Sequence, residues 1–340
     1  MLNVALFGSN GHQIHQALLH HPHAQIVAIA DFPREQLPEV LRNDPRIAEY
    51  TTLAQVLADL NVHAVSLCSS RRCDQAFDAI RALRAGKHVF AEKPCALSEH
   101  LLDKIIQTAA ETGRTFREMA GTAFSHPYMA MRQVVTSGQI GQVVQVIAEK
   151  SYPYYEGRPQ DEAIDGGLIC QNAIHAVRFI EHVACTPIIS VSALETTMGN
   201  PVLDGGLRMA SALMFGLKNG GLASVTANYL NPRGTGVWGY ETLRILGTQG
   251  MVESTAGGSK TRLVIGEIYH GTLSEVAVED YLTSFIKTAL GIGQMPNTLE
   301  EELSPTRWVI RAKAAAAAVA ATRAGSNVTS QSQPQSAALV

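Results

Sequence analysis

"HVFAEKPCAL" (His88–Leu97) begins as a buried strand and stops on a lysine–proline pair. Val89, Phe90 and Ala91 carry an apolar run that Glu92, Lys93 and Pro94 end at once. Proline has no N–H to give to a sheet ladder, so a central strand must finish there. A carboxylate and an amine are thereby delivered to one strand end.

Outward from this stretch, strand-like and helix-like segments alternate. "NVALFG" is a short apolar strand closing on glycine, and a polar helix follows over roughly His12–His21, stopped by Pro22. "AQIVAIAD" is a second strand, closed by Asp31. Thr52 and Gln55 form a capping box ahead of the stripe Leu53, Val56, Leu57 and Leu60. "HAVSLC" is the next strand, and "CDQAFDAIRALRAG" is a helix that Gly86 can terminate. Ser98 caps a further helix ending near Gly113, and "RTFREMA" adds a strand. Such alternation favours right-handed crossovers and a parallel sheet covered on both faces, so residues 1–120 read as a doubly wound α/β domain. Ligands bind these sheets beyond the carboxyl ends of the strands, which puts Glu92, Lys93 and Pro94 on the binding edge.

The 340 residues suffice for two domains, and 46% apolar content supplies a sizeable core. Charged residues are only 17%, which suggests surface buried between domains or subunits. A net charge of −3 without a long basic run argues against nucleic acid. Cys68, Cys73, Cys95, Cys170 and Cys185 form no CxxC pair and no metal-ligand spacing, so reduced thiols in the cytoplasm are expected. "HHPH" (His20–His23) reads as a solvated helix end before it reads as a metal tract. "MLNVALFGSNG" has neither a basic n-region nor a long apolar stretch, so no signal peptide, anchor or membrane partner is expected.

"GSNGHQ" (Gly8–Gln13) lies between the first strand and first helix, where a dinucleotide pyrophosphate would rest. The G-x-G-x-x-G pattern asks for glycine at positions 10 and 13, and Asn10 and Gln13 stand there instead. Gly8 and Gly11 remain, with His12 beside them, and Asn10 tolerates a left-handed backbone. Gln13 is expected to hold the helix farther from strand or cofactor. The loop alone reads equally well as a nucleotide site or a plain turn. Asp31 tips the balance: a carboxylate ending the second strand can bind the adenosine ribose hydroxyls. Its charge favours NAD over NADP, and Arg34 is near enough in sequence to soften that preference. The competing reading makes Asp31 a helix cap before Pro33. Ser69, Ser70 and Arg71 follow the "VSLC" strand and read equally well as a lining of the nicotinamide side or as a plain turn.

After Ala120 the alternation stops. "GQVVQVIAEKSY", "TPIISVSALE", "MASALMFGLKNGGLASVTANYL" and "ETLRILGTQGMVES" are strand-like, with a hairpin signal at Asn219–Gly220. "GGLICQNAIHAVRFIEHVA" is a helix with Ile169, Ala173, Ala176, Val177 and Ile180 on its apolar side. A mostly antiparallel sheet with helices on one face fits residues 121–304. A C-terminal helix over 305–324 is expected to return to the first domain, and 325–340 reads as a polar, mobile tail.

"VALFGSNG", "VAIAD", "HAVSLCSS", "AGKHVFAEKP" and "GGLICQNAIH" in this order resemble the glucose–fructose oxidoreductase/inositol dehydrogenase (Gfo/Idh/MocA) family. The resemblance runs from about Leu2 to Thr322 and is most specific at "AGKHVFAEKP". It implies an N-terminal Rossmann domain and a C-terminal α/β domain whose large open-faced sheet packs against another subunit, as a homodimer or homotetramer. It further implies hydride transfer between NAD or NADP and a sugar, cyclitol or related polyol. Lys93 would lie between nicotinamide and substrate, with the bond before Pro94 often cis, and Glu92 would organise the bend.

The family's second element is an aspartate and a histidine four apart on the helix after a glycine pair. Here the pair is Gly166–Gly167, the histidine is His175, and Gln171 holds the aspartate's place. Spacing of four sets Gln171 and His175 on one helical face, where the amide can orient the imidazole but cannot stabilise its cation. His175, titrating near neutrality if unassisted, is the candidate acid/base. Arg178 stands where another aspartate is common. Tyr152, Tyr154, Tyr155 and Arg158 in "SYPYYEGRPQ", with Arg233 and Trp238 from "NYLNPRGTGVWGYE", are candidates for substrate hydroxyls, an anionic group or a sugar face, in loops that read first as surface or subunit contacts. Gln171 also keeps two other readings open: a ligand-sensing protein without turnover, and a redox-neutral enzyme with tightly held NAD.

Overall fold

The computed structural model describes residues 1–330. Its first sheet contains β1 (Leu2–Phe7), β2 (Ala24–Ala30), β3 (Ala48–Tyr50), β4 (Ala64–Leu67), β5 (His88–Ala91) and β6 (Phe116–Glu118). All pairings are parallel, in the order β3-β2-β1-β4-β5-β6. The order reverses direction between β1 and β4, so a crevice opens at their carboxyl ends. Both faces are covered, which is why β4 and β5 are buried at every position. Helices Gln75–Arg84 and Glu99–Thr112 cover one face through residues such as Ala79, Leu83 and Leu102. The other face is covered from far along the chain, by Tyr281, Phe285 and Ile286 of helix Tyr281–Ala289.

Local signals place most of these elements. Thr52 and Gln55 make the expected capping box, Ser98 caps its helix by accepting from the Leu101 N–H, and Gly113 closes that helix in the left-handed conformation. The first helix is much shorter than the expected His12–His21, spanning only His15–Leu18. Ile14 stands at its N-cap and offers no side-chain acceptor. Strand β3 had no sequence expectation; at three residues it is too short to show a period.

The second sheet holds β7 (Val143–Ser151), β8 (Ile188–Thr196), β9 (Ala210–Leu217), β10 (Leu222–Asn228), β11 (Tyr240–Gly247), β12 (Gly250–Thr255), β13 (Lys260–Ile265) and β14 (Ile268–Gly271). Its order is β14-β13-β12-β11-β7-β10-β9-β8, antiparallel except for β7 with β10. The β9–β10 hairpin turns at Gly220, with φ +87°. One face packs on helix Ile174–His182 through Ala148, Leu213, Val225 and Ile245. The opposite face leaves Val144, Ile147, Met214 and Leu222 exposed.

The last helix, Leu299–Ser330, starts earlier than the expected residue 305. Thr298 and Glu301 build the cap, each accepting from the other's backbone N–H at 3.2 and 2.9 Å. Pro305 lies inside the helix and misleads as a start signal. The helix serves both cores: Leu303 and Ile310 join the first, Trp308, Val309 and Ala312 the second. It continues through Ser330, past the expected start of a mobile tail at 325; the rest of that tail, 331–340, lies outside the described residues. No helix among the described residues is long and apolar enough to cross a membrane.

Candidate active site

Strand β5 ends on Ala91, and the Glu92 N–H still pairs with the Leu67 carbonyl of β4 at 2.8 Å. The bend that follows contains a cis Lys93–Pro94 bond and is gripped from three directions. Gln75 donates its amide to the carbonyls of Glu92 and Pro94. The Cys95 N–H donates to Glu118 at 2.7 Å. Gly166 lies against the proline ring: a Cβ there would meet Pro94 Cγ at 2.6 Å, at φ +96°.

This mounting aims Lys93 inward. Its side chain is buried, and Nζ donates to the Gln171 carbonyl at 2.9 Å. Burial lowers the Lys93 pKa to about 8, against the raising influence of Glu92, with Arg72 and Lys150 adding to the fall. Both amine and ammonium are therefore accessible near neutrality. Glu92 is buried too, but desolvation is outweighed by the hydrogen bond with His12 and the nearby positive charges of Lys93, His12 and Arg72, and its pKa lies at about 2. One Glu92 oxygen accepts from the Lys93 N–H at 2.9 Å, and the other takes the His12 N–H and imidazole.

A cleft of about 380 Å³ opens above Lys93. The glycine loop from Ser9 to His12 forms one wall, and Tyr152, Tyr155, Arg158, Gln171 and Trp238 come from the second domain. Arg72 and Asp165 also line it, and the sequence reading names neither. Asp165 had a usable signal, since it directly precedes Gly166–Gly167. Arg72 had only its neighbour Arg71, which instead lies 3.8 Å from Asp161.

The glycine loop keeps the close approach that its two glycines permit. Gly8 and Gly11 have φ of +74° and +137°; a Cβ would lie 2.0 Å from the Cys68 carbonyl oxygen at Gly8 and 2.5 Å from Glu92 at Gly11. Asn10 joins the two domains, donating to the carbonyls of Ile164 at 2.6 Å and Ser70 at 3.1 Å. Gln13 does not line the cleft. Its amide turns down onto the strand ends, donating to the carbonyls of Phe7, Gly8 and Ser66 and accepting from the Ser66 hydroxyl at 2.6 Å. A carboxamide thus does the close packing for which a third glycine would leave room.

Asp31 projects at the end of β2 and accepts from the Ser70 hydroxyl. Ser69 is buried and bonds Asp78 at 2.8 Å, away from the cleft. The Arg34 guanidinium is held by the carbonyls of Arg42 at 2.6 Å and Asp44 at 2.9 Å, with Glu49 at 3.5 Å. Phe7, Asp31, Thr51, Leu53 and Arg81 border a further hollow of about 450 Å³.

Gln171 and His175 are not joined. Residues Ile169–Ala173 form a π-helical turn, whose wider winding breaks the four-residue register expected for these two side chains. Gln171 accepts from Tyr229 at 3.2 Å, while His175 Nε2 lies 3.3 Å from the Tyr152 hydroxyl. His175 is buried behind the cleft wall, and desolvation, followed by the charges of Lys150 and Lys93, pushes its pKa well below 6.5. It is a neutral imidazole, not one titrating near neutrality. Trp238 stands at the cleft mouth, its ring 6.2 Å from that of Tyr155, whereas Arg233 is exposed over Trp238 and does not line the cleft.

A family model described as "Oxidoreductase family, NAD-binding Rossmann fold" matches residues 2–119, and the GFO/IDH/MocA C-terminal domain matches 128–253. The chain belongs to the Gfo/Idh/MocA oxidoreductase family. Inositol 2-dehydrogenase of Pseudomonas syringae pv. syringae is 30% identical over 152 residues, which cover 43% of this chain and 44% of that protein. The chain therefore matches less than half the length of that curated relative. A solved structure from Thermotoga maritima, provisionally named an oxidoreductase, shares 23% identity with TM-score 0.82, covering 93% of this chain and 98% of the other. An aldose-aldose oxidoreductase from Caulobacter crescentus gives 19% identity and TM-score 0.76, with coverages of 93% and 97%. At these identities the two structures bear on the fold alone.

Proposed function

We propose that this Gfo/Idh/MocA protein is an NAD(H)-linked oxidoreductase acting on a CH–OH carbon of a sugar, cyclitol or related polyol. The observation that carries the reading is Lys93: a buried amine, with pKa about 8, beside the glycine loop and open to a cleft of small-molecule size. The residues present fit a dinucleotide. Gly8 and Gly11 let the loop pack closely over Cys68 and Glu92 at the strand ends, and Asp31 with Ser70 offers hydrogen bonds to an adenosine ribose. Arg34 is engaged elsewhere, which supports NAD over NADP.

Bound NAD would supply the hydride acceptor for alcohol oxidation and, once reduced, the hydride donor for the reverse reaction. Lys93 would hydrogen-bond the reacting oxygen, taking the hydroxyl proton on oxidation and returning it on reduction. The neutral His175 would position Tyr152 at the cleft wall, and Gln171 would hold the Lys93 ammonium through its carbonyl. Hydride transfer over a panel of polyols and sugars, with Lys93→Ala as control, tests the assignment; undiminished turnover in that variant overturns it.

The exposed apolar face of the second sheet supports pairing with another copy of the chain. A second reading, a binder without turnover, is favoured by the separation of Gln171 from His175. A protein that binds NAD and a polyol without hydride transfer would establish it.

A further inference from the structure

Among the described residues, Arg158 is a buried charge outside the ion pairs. It is 6% exposed, yet no carboxylate pairs with its guanidinium, and Nε is buried without a hydrogen-bond partner. What holds it is aromatic: the guanidinium carbon lies 3.7 Å from the Tyr229 ring centre and 4.7 Å from that of Tyr155. One ring is buried, and the other belongs to the turn that carries Arg158. Tyr229 is buried and donates to Gln171, while the Tyr155 carbonyl accepts the Arg158 N–H at 3.1 Å in a tight turn. Ring stacking fixes the plane of a guanidinium and leaves its N–H edge to be satisfied by something else. Asp165 feels this cation through space without pairing with it, so a bound anion would satisfy an N–H edge that no carboxylate among the described residues contacts.

The rest of the cleft agrees. Arg72, Lys93 and Arg158 face it against only two carboxylates, Glu92 and Asp165. Glu92 is committed to His12 and the Lys93 N–H, and Asp165 accepts from the Gly167 N–H at 2.9 Å. The cleft therefore carries surplus positive charge in a chain whose formal net charge is −3.

We propose that the substrate is an acid, a polyhydroxylated compound with a carboxylate, and that Arg158 binds this carboxylate while Lys93 meets the reacting hydroxyl. This deepens the function proposed above and rests on it for the position of the reacting carbon. A planar fork facing a planar carboxylate gives two parallel charge-assisted hydrogen bonds, fixing which carbon of a chain or ring lies over Lys93. Neutral polyols would leave the fork unsatisfied and bind in more than one orientation.

Binding, measured by calorimetry on the full chain with NAD present, separates this inference from the redox reading. D-Gluconate and D-glucuronate are compared with their neutral counterparts sorbitol and D-glucose, and with glucose 6-phosphate. The acids should bind about 10- to 100-fold more tightly than the neutral compounds, the range expected for a hydrogen-bonded charge. Arg158→Met should erase that preference, and Arg158→Lys, which keeps charge without the fork, should retain only part of it. Equal affinity for acid and neutral partner, a preference surviving in Arg158→Met, no binding by any probe, or stronger binding of the phosphate would each overturn the proposal. Acid-selective binding without NADH formation would sustain it while defeating the dehydrogenase assignment.

Discussion

Two buried arginines in this molecule are handled in opposite ways. Arg178, 1% exposed, lies at the junction of the two domains with Glu118 at 2.5 Å and Glu302 at 2.9 Å. Thr306 donates to the same Glu118 at 2.8 Å. Arg158, nearly as buried, has two tyrosine rings and, among the described residues, no carboxylate pair. A cation answered from within the chain is a fastening; one left unanswered at a cleft is a receptor. The contrast also explains why Lys93 is reliable in position. Glu118, which holds Arg178, is the residue that accepts the Cys95 N–H and so fixes the bend carrying the lysine.

The sharpest way to break this contrast is to remove each cation separately. Arg178→Met leaves Glu118 and Glu302 buried without their counter-charge and should cost about 3–5 kcal/mol, read as a large fall in denaturant midpoint. Arg158→Met should leave stability unchanged or raised. Equal losses would show that Arg158 is an ordinary structural residue. Next in size is Lys93→Ala, expected to lower turnover by about 10²–10⁴-fold without lowering the melting temperature, because it removes a group that burial disfavours in charged form.

The pH dependence sharpens the same point. Lys93 in its proposed role must be a free amine to accept the hydroxyl proton. With the pKa at about 8, alcohol oxidation should rise up to tenfold per pH unit below 8 and level off above it. Carbonyl reduction needs the ammonium and should fall above pH 8. A profile flat from pH 6 to 9 in both directions speaks against Lys93 as the proton carrier. The smallest effect is expected for Gln171→Asp. Because His175 is partnered by Tyr152 and not by residue 171, turnover should change by less than about tenfold, while a new carboxylate near Lys93 moves the oxidation profile to higher pH. A gain of a thousandfold would instead show that this helix rearranges into a paired acid and histidine.

The sequence made β1, β2 and β5 legible because each is a short apolar run ended by a local breaker: Gly8, Asp31 or Pro94. It also made the Lys93 bend legible, since three consecutive residues carry it. What stayed hidden depends on partners far along the chain. Gln13 reads as a damaged glycine motif until the Ser66 and Phe7 carbonyls are seen to receive its amide. The π-turn at Ile169–Ala173 leaves no periodic trace, because one widened turn shifts the register without altering composition. β13 and β14 had no sequence expectation, and they form the end of the second sheet beyond β12.

The helix Leu299–Ser330 has a mechanical consequence. With Leu303 and Ile310 in one core and Trp308, Val309 and Ala312 in the other, it works as a splint laid across a joint. The two halves should then melt together in one calorimetric peak.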